Sequence, residues 1–238
     1  MTRSESGARA RLKHLIPPSI LNRTLLMLPG LYRTRLVNYE TNLSPVGVEE
    51  LLEHLRPALR SAGNVIECGS SRAGATALMA GVVKELAPEK KIYACDSFEG
   101  FDPAELDRER AAGMTVADHD AFRSTSLTYV KEKLRKLKID DVVEPVPGYF
   151  ENTLGRITDS FCFALIDCDL KDSLLTCAEE IWPRLVPGGT MMFDDYASVE
   201  FRGARSGVDG FVAAHSSELA EHRLLDRLYL VVKKTNAL

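Results

Sequence analysis

The sequence predicts an α/β fold in which a mostly parallel, seven-stranded sheet carries helices on both faces. Two observations predict it. Short apolar segments alternate along the chain with longer segments of helical periodicity, and several of the apolar segments end in an acidic or glycine-rich turn. Ligands bind such sheets outside the carboxyl ends of the strands, so the turns after the strands are where a site is expected.

The predicted elements follow one another at short spacing. Helices are predicted at residues 49–60, 74–86, 125–138, 174–185 and 203–215. Strands are predicted at residues 64–67, 91–95, 142–146, 161–166, 190–193, 224–225 and 229–232. Residues 100–123 are polar and acidic, and we expect them to form an inserted, mobile loop.

The composition is that of an ordinary globular protein of 238 residues with a net charge of −4. This charge gives no overall attraction to nucleic acid. No apolar run reaches the roughly 20 residues that span a bilayer, and no signal peptide is evident. The five cysteines form no CxxC pair, which indicates a reducing cytoplasm and argues against disulfides or a zinc site.

Residues 1–48 are predicted to form a basic N-terminal arm before a domain at 49–238. Residues 1–36 hold seven basic residues and one acid. The favoured interpretation is an arm that packs on the domain or on another subunit, and a homo-oligomer is expected. Attachment to a membrane surface is the alternative, but Pro17, Pro18 and Pro29 interrupt any long amphipathic helix.

The turn after the first strand is the first candidate cofactor site. Its candidate binding residues are Glu67, Gly69, Ser70, Gly74 and Thr76. A phosphate-binding P-loop would need Gly-Lys-Ser/Thr here. A dinucleotide motif would need glycine where Ser71 stands. The carboxylate of Glu67 would repel a pyrophosphate but suits the ammonium and sulfonium of S-adenosylmethionine. A plain tight turn is the alternative.

The next two turns add candidate contacts to the same cofactor. Asp96 follows the second strand, where an acid can accept hydrogen bonds from both ribose hydroxyls, with Ser97 and Phe98 beside it. Asp96 could instead cap a helix, and Phe98 could simply pack. Gly148 and Phe150 stand where the adenine edge is expected, although a mere turn is equally compatible.

Three carboxylates form a candidate metal site. Asp167 ends one buried strand, and Asp194 and Asp195 end the next. If those strands are neighbours, the three acids converge, and packed acids require a cation or protons. Oxygen ligands suit Mg²⁺ or a similar ion, which would lower the pKa of a bound hydroxyl. Asp167 could also accept the proton.

Lys171 and Asp169 flank this site in the sequence. Lys171 could stabilise or deprotonate a bound hydroxyl, although a lysine at such a position is more often solvated. Asp169 is expected to cap the following helix rather than to bind metal. His119 could enter from the 100–123 loop, but exposure in a polar loop explains it as well.

With these residues placed, the chain resembles the macrocin O-methyltransferase (TylF-type) family over roughly residues 60–235. The similarity is carried by the motifs VIECG at 65–69, DSFEGF at 96–101, PGYF at 147–150, LIDCDL at 165–170, PGG at 187–189 and DDY at 194–196. The resemblance implies a Rossmann-like class I fold and an often oligomeric enzyme, dependent on S-adenosylmethionine and Mg²⁺, that methylates sugar hydroxyls. It also implies Asp167, Asp194 and Asp195 as metal ligands, with Asp167 as the base.

The chain departs from the family pattern where Cys168 and Lys171 stand. Lys171 also resembles the lysine of catechol-type methyltransferases, at a different spacing. The leading hypothesis is metal-dependent methylation of a hydroxyl on a sugar or glycosylated small molecule. A catechol or phenol methyltransferase, a nicotinamide oxidoreductase and a non-catalytic binding protein remain the alternatives.

Overall fold

The computed structural model describes residues 40–235, which form one seven-stranded sheet with helices on both faces. The helices are α1 (Pro45–Ala58), α2 (Gly74–Leu86), α3 (Pro103–Ala111), α4 (Leu127–Leu137), α5 (Phe150–Thr153), α6 (Lys171–Ile181) and α7 (Arg202–Ala214). The strands are β1 (Asn64–Cys68), β2 (Ile92–Asp96), β3 (Val143–Pro147), β4 (Phe161–Ile166), β5 (Leu185–Phe193), β6 (Leu219–Leu224) and β7 (Tyr229–Lys233). The predicted fold class is confirmed.

The strand order is β3-β2-β1-β4-β5-β7-β6. The first five of these strands run parallel, and β7 runs antiparallel to both of its neighbours. The chain leaves β1 toward one edge of the sheet and returns at β4 toward the other. α/β sheets bind ligands in the crevice where the strand order reverses. In this sheet that crevice lies between β1 and β4.

Two apolar clusters lie on the two faces of the sheet. Alternating residues of each parallel strand enter one cluster or the other, since successive side chains point to opposite faces. Leu51 of α1, Met79 of α2 and Leu134 of α4 lie in the first cluster. Leu174 of α6 and Phe211 of α7 lie in the second. No helix in the described part of the chain is both long and apolar enough to cross a membrane.

The prediction that residues 100–123 form a loop is wrong in part, because α3 lies within them. Asp102 caps α3 by accepting a hydrogen bond from the Glu105 backbone N–H at 2.8 Å, and Pro103 begins the helix. The helix escapes a periodicity search because its buried residues are Glu105, Leu106 and Glu109. Two of the three are acids whose partners lie elsewhere in the fold.

Several boundaries in the structure differ from the predicted ones by a few residues. The division at 48/49 falls inside α1, which begins at Pro45 after a cap by Ser44. Helix α6 begins at Lys171 and is followed by a 3-10 turn at Trp182–Arg184, and β5 includes the predicted turn at 187–189. Strand β6 begins five residues before the predicted position. The basic segment 1–36 lies outside the described residues.

Candidate active site

A cavity of about 780 Å³ opens at the carboxyl ends of the parallel strands, and a smaller one of about 260 Å³ adjoins it. The loops after β1, β2, β3, β4 and β5 line the larger cavity, together with the turn before β7. The two cavities share Asn42, Gly69, Ser71, Phe122 and Asp167. This is the position that the topology predicts for a ligand, and its volume is within the usual range for a small-molecule site.

Two glycines of the loop after β1 allow main-chain segments to pass close together. Gly69 has φ +90°, and a Cβ there would lie 1.8 Å from the Asp167 carbonyl oxygen. A Cβ on Gly74 would lie 2.1 Å from the Glu40 carbonyl oxygen. Glycine at these positions is therefore demanded by contacts within the protein. Gly69 also lines both cavities, and Gly74 lines the smaller one.

Glu67 is a buried residue whose carboxyl group belongs to the lining of the smaller cavity. The Thr76 hydroxyl donates a hydrogen bond to Glu67 Oε2. Burial raises the pKa of Glu67 to about 8, so the group is largely neutral at pH 7 when no cation is near. Ser70 Oγ is also buried at this cavity, and no atom of residues 40–235 hydrogen-bonds to it. Both groups are available to a polar ligand.

Asp96 ties two loops together at the wall of the larger cavity. Its carboxylate accepts hydrogen bonds from the Ser71 N–H at 2.8 Å and from the Phe98 N–H at 2.6 Å. Burial nevertheless raises its pKa. Asp96 and Ser97 line the cavity, whereas Phe98 is buried in the first core cluster and does not line it. Phe98 therefore packs in the core, which was the alternative to a cofactor contact.

The turn after β3 brings aromatic side chains to the same cavity. Gly148 has φ +126°, and its N–H donates to the Asp96 carbonyl oxygen at 2.9 Å, so it joins the turns after β2 and β3. Tyr149 and Phe150 line the cavity, whereas Gly148 does not. Gly148 thus connects the two turns and positions its neighbours, and its predicted contact with the cofactor stays a prediction.

The three predicted metal ligands do converge. Asp167, Asp194 and Asp195 each offer a carboxylate oxygen, and these oxygens lie within 4.8 Å of one another. They meet because β4 and β5 are neighbours, with Ile166 opposite Phe193 in the register. Burial, followed by the charges of Asp194 and Asp195, raises the pKa of Asp167 well above its usual range. Such a cluster attracts cations, and its oxygen donors suit a hard divalent ion.

Asp169 is a fourth acid in this cluster, and the expectation that it caps the following helix is wrong. Its backbone is left-handed at φ +60°, and the residue at the cap position is Leu170, which makes no side-chain cap. Asp169 lines the cavity. Burial, followed by the charge of Asp195 and a hydrogen bond with it, raises the pKa of Asp169 well above the usual value.

Helix α6 is capped instead by two glutamates of α3. Glu109 Oε1 accepts from the Lys171 N–H at 3.1 Å, and Glu105 Oε1 accepts from the Ser173 N–H at 2.9 Å. Lys171 does not line the cavity, and its stem lies near Gly207 of α7. The structure thus does not bring Lys171 to the acid cluster. His119 pairs with Asp107 on the surface, also outside the cavity lining.

Arg227 is a site residue that the sequence reasoning missed. Its Nε donates to Asp194 Oδ1 at 3.0 Å and its Nη2 to Oδ2 at 3.4 Å. Glu50 of α1 accepts hydrogen bonds from the backbone N–H groups of Asp226, Arg227 and Leu228, which holds this turn in place. Because β7 is antiparallel to β5, the turn before β7 lies at the same edge as the end of β5. An antiparallel last strand is the signal that could have found it.

Three phenylalanines that pack together give part of the cavity lining an apolar character. We call them the apolar wall; they are Phe101, Phe122 and Phe201. The Phe101 ring meets the Phe122 ring edge-on at 5.2 Å and the Phe201 ring at 5.9 Å. The acid cluster and the apolar wall therefore line one cavity, which suits a ligand with a polar and an apolar part.

A family model matches this chain over residues 48–221, and its description is Macrocin-O-methyltransferase (TylF). The chain belongs to the macrocin O-methyltransferase (TylF) family. The match covers β1 to β5, ends within β6, and includes Asp167, Asp194 and Asp195. It confirms the resemblance drawn from the strand-end motifs.

Two curated relatives of this TylF-family chain are methyltransferases by name. The first is the 8-demethyl-8-(2,3-dimethoxy-alpha-L-rhamnosyl)-tetracenomycin-C 4'-O-methyltransferase of Streptomyces olivaceus, 32% identical over 57% of this chain and 53% of the relative. The second is the mycinamicin III 3''-O-methyltransferase of Micromonospora griseorubida, 28% identical over 63% of this chain and 64% of the relative. The chain thus spans between about half and just under two thirds of the length of these relatives.

Among solved structures, the O-methyltransferase NovP superimposes with a TM-score of 0.73. The match covers 84% of each chain at 21% sequence identity. At that identity the likeness shows a common fold, and it confirms the Rossmann-like methyltransferase architecture expected from the sequence.

Proposed function

We propose that this protein transfers a methyl group from S-adenosylmethionine to a hydroxyl group of a sugar or glycosylated small molecule, with the aid of a divalent cation. The observation that carries the proposal is the meeting of Asp167, Asp194 and Asp195 at the cavity between β1 and β4. Membership of the TylF family and the name of the first relative, whose acceptor is a rhamnosyl tetracenomycin, support the choice of acceptor.

The methyl donor fits the polar groups on the β1 and β2 side. Asp96 offers carboxylate oxygens at the cavity wall, where ribose hydroxyls could donate to them. Glu67 and Ser70 lie at the smaller cavity, and neither would need to give up an ion pair to contact an amino acid moiety. A cationic ammonium near Glu67 would favour its ionised form, since an opposite charge lowers the pKa of a carboxyl group.

The acid cluster would hold the cation through Asp167, Asp194 and Asp195. The cluster fits a hard ion because its donors are carboxylate oxygens whose mutual repulsion a divalent charge relieves. When bound, Mg²⁺ or a similar ion would lower the pKa of the acceptor hydroxyl. Arg227 would fix the orientation of Asp194 through its hydrogen bonds to both carboxylate oxygens.

The reaction also requires a group that takes the hydroxyl proton. Asp167 is the base expected from the sequence, and it lies in the cavity. Asp169 is a second candidate, since it faces the same cavity but lies outside the three-acid set. The proton would pass to a carboxylate oxygen as the acceptor oxygen attacks the sulfonium methyl, leaving S-adenosylhomocysteine.

The proposal is tested by following labelled methyl transfer from S-adenosylmethionine into a panel of glycosides and phenols. We expect transfer to glycosides that stops with EDTA and returns with Mg²⁺. Asp194→Asn should lower the rate by roughly a hundredfold, while Asp140→Asn, a surface carboxylate outside the cavity, should leave it unchanged. Full activity of Asp194→Asn would contradict the metal role.

A further inference from the structure

We infer that strand β6 is a dimerisation surface, which pairs with the β6 strand of a second copy of this chain. The two strands run antiparallel and are related by a two-fold axis at His222, so that one sheet continues into the other. Each Glu221 then lies opposite the Arg223 of the other copy. The inference concerns how two chains associate, and it is independent of the proposed methyl transfer.

The outer edge of β6 is open within residues 40–235. Strand β6 stands last in the strand order, and β7 is the strand that pairs with it. Residues 220–224 are all exposed, and Leu224 keeps 43% of its surface exposed. An open edge strand presents unpaired backbone N–H and C=O groups, and these can bind another strand.

Prolines protect the opposite edge of the sheet, at β3. The Gly148 N–H donates a hydrogen bond toward β2, and the Val142 carbonyl oxygen accepts one from β2. The backbone groups of alternate residues point to opposite sides of a strand, so Pro145 and Pro147 face the outer side of β3. Proline has no N–H to donate there. An incoming strand therefore finds fewer donors at β3 than at β6.

The turn between β6 and β7 shows which backbone groups of β6 face outward. The Leu225 N–H donates across this turn at 2.9 Å. The register with β7 is unbroken from there back to Glu221, so Arg223 and Glu221 also bond to β7, because bonded pairs alternate in an antiparallel ladder. The N–H and C=O groups of His222 and Leu224 point away from β7. With a two-fold axis at His222, the two copies of this residue can exchange both of their backbone hydrogen bonds.

The charges of the edge are complementary under this axis. Arg223 Nε lies 2.6 Å from Glu221 Oε1 on one face of β6, and about half of each side chain is exposed. An axis at His222 sets each Glu221 opposite the Arg223 of the second copy, where cross-strand side chains lie close together. An axis one residue later would instead set two arginines against each other.

The same charges favour a second copy over an unrelated strand. Charged side chains on an edge strand normally oppose pairing, because an arbitrary partner leaves them unmatched. A two-fold interface is self-complementary, so a second copy of the chain matches both Glu221 and Arg223. The surface is therefore assigned to a homodimer.

The paired segment is short. A bulge between Leu219 and Glu221 interrupts the regular part of β6. An interface of this size is typical of weak association, and we expect a dissociation constant on the order of 10 µM. The chain is then mostly monomeric at about 1 µM and mostly dimeric at about 100 µM.

Sedimentation velocity of the full chain at about 1 to 200 µM tests the inference. We expect the sedimentation coefficient to rise with concentration. Glu221→Arg and Arg223→Glu should each weaken association by about tenfold or more, since each sets two like-charge pairs across the axis. An equimolar mixture of the two variants should associate again, because every cross-strand pair is then oppositely charged. A wild type that stays monomeric, or a mixture that does, would overturn the inference.

A second set of variants tests the backbone pairing. His222→Pro removes the outward N–H at the axis and should abolish association, whereas His222→Ala keeps this N–H and should still dimerise. Glu144→Arg reverses an exposed charge on β3 and should leave association unchanged. Circular dichroism checks that each variant is folded. Equal loss of association in the two histidine variants, or loss in Glu144→Arg, would overturn pairing through β6.

Discussion

The guanidinium of Arg227 meets the carboxylate of Asp194 at two points, with Nε 3.0 Å from Oδ1 and Nη2 3.4 Å from Oδ2. The side chain of Asp194 is 2% exposed and that of Arg227 is 38% exposed. This pair partly neutralises the acid cluster, and Glu50 holds the turn that carries it. The acid cluster and its arginine therefore come from three regions of the sequence, at Asp167, at Asp194 and Asp195, and at Arg227.

We expect Arg227→Gln to lower the stability of the metal-free protein and to increase its stabilisation by Mg²⁺. The substitution leaves Asp194 buried without its cation, which should cost about 1–3 kcal/mol, and a divalent ion can replace the lost charge. Thermal unfolding with EDTA and with Mg²⁺ measures both effects. Arg223→Gln, which breaks an exposed pair with Glu221, is the control, and identical shifts in the two variants would contradict the prediction.

The buried pair of Lys133 and Glu40 should be essential for stability. Their charged atoms are 2.6 Å apart, and neither side chain is exposed. Lys133→Met would remove the positive charge closest to the buried carboxylate of Glu40 and should cost about 3–5 kcal/mol, measured by urea unfolding. Lys84→Met, which removes a surface pair with Asp141, should cost far less. Adding Glu40→Gln to Lys133→Met should restore part of the loss.

Measurements of metal binding should distinguish the role of Asp167 from that of Asp169. If Asp167 is a metal ligand, Asp167→Asn should weaken binding of Mn²⁺, used as a spectroscopic probe, by roughly a hundredfold. If Asp169 serves as the base, Asp169→Asn should reduce the rate of methyl transfer while largely preserving Mn²⁺ affinity. Electron paramagnetic resonance titration measures the affinity. Equal losses of affinity in both variants would place Asp169 among the ligands.

Substituting Lys171 should leave methyl transfer intact. Its side chain does not line the cavity, and the contact it makes at the α6 cap is through its backbone N–H. Lys171→Ala should therefore keep the rate within about threefold, as for an ordinary surface change. A steady-state assay with a glycoside acceptor checks this. Abolished activity would instead support the phenol-type mechanism.

The histidine at position 215 should add stability at low pH. Burial acts to lower its pKa, but hydrogen bonds to Glu218 and Glu179 outweigh burial and raise it. A raised pKa in the folded state means that the contribution is fully present below the unfolded value of about 6.5. It is lost as the pH rises through the folded pKa. The difference in unfolding free energy between wild type and His215→Gln should thus shrink from pH 5.5 to pH 8.5.

The sequence by itself determined the fold class and most of the chemistry at the strand ends. Apolar segments that end in Glu67, Asp96, Asp167 and Asp194 sufficed, because parallel strands bring their carboxyl ends to one edge of the sheet whatever the details of packing. The family motifs lie in these same turns, which is why they identified the family. Periodicity also located β4 and α2 at the bounds that the structure has.

Only the tertiary structure decided which other residues complete the site. Arg227 reaches Asp194 because β7 runs antiparallel beside β5, and Glu50 fixes that turn from a position 176 residues away in the chain. Asp169 turns into the cavity through a left-handed backbone, while α3 is held by glutamates whose partners lie on α6. These contacts join segments distant in sequence, and no local pattern of residues encodes them.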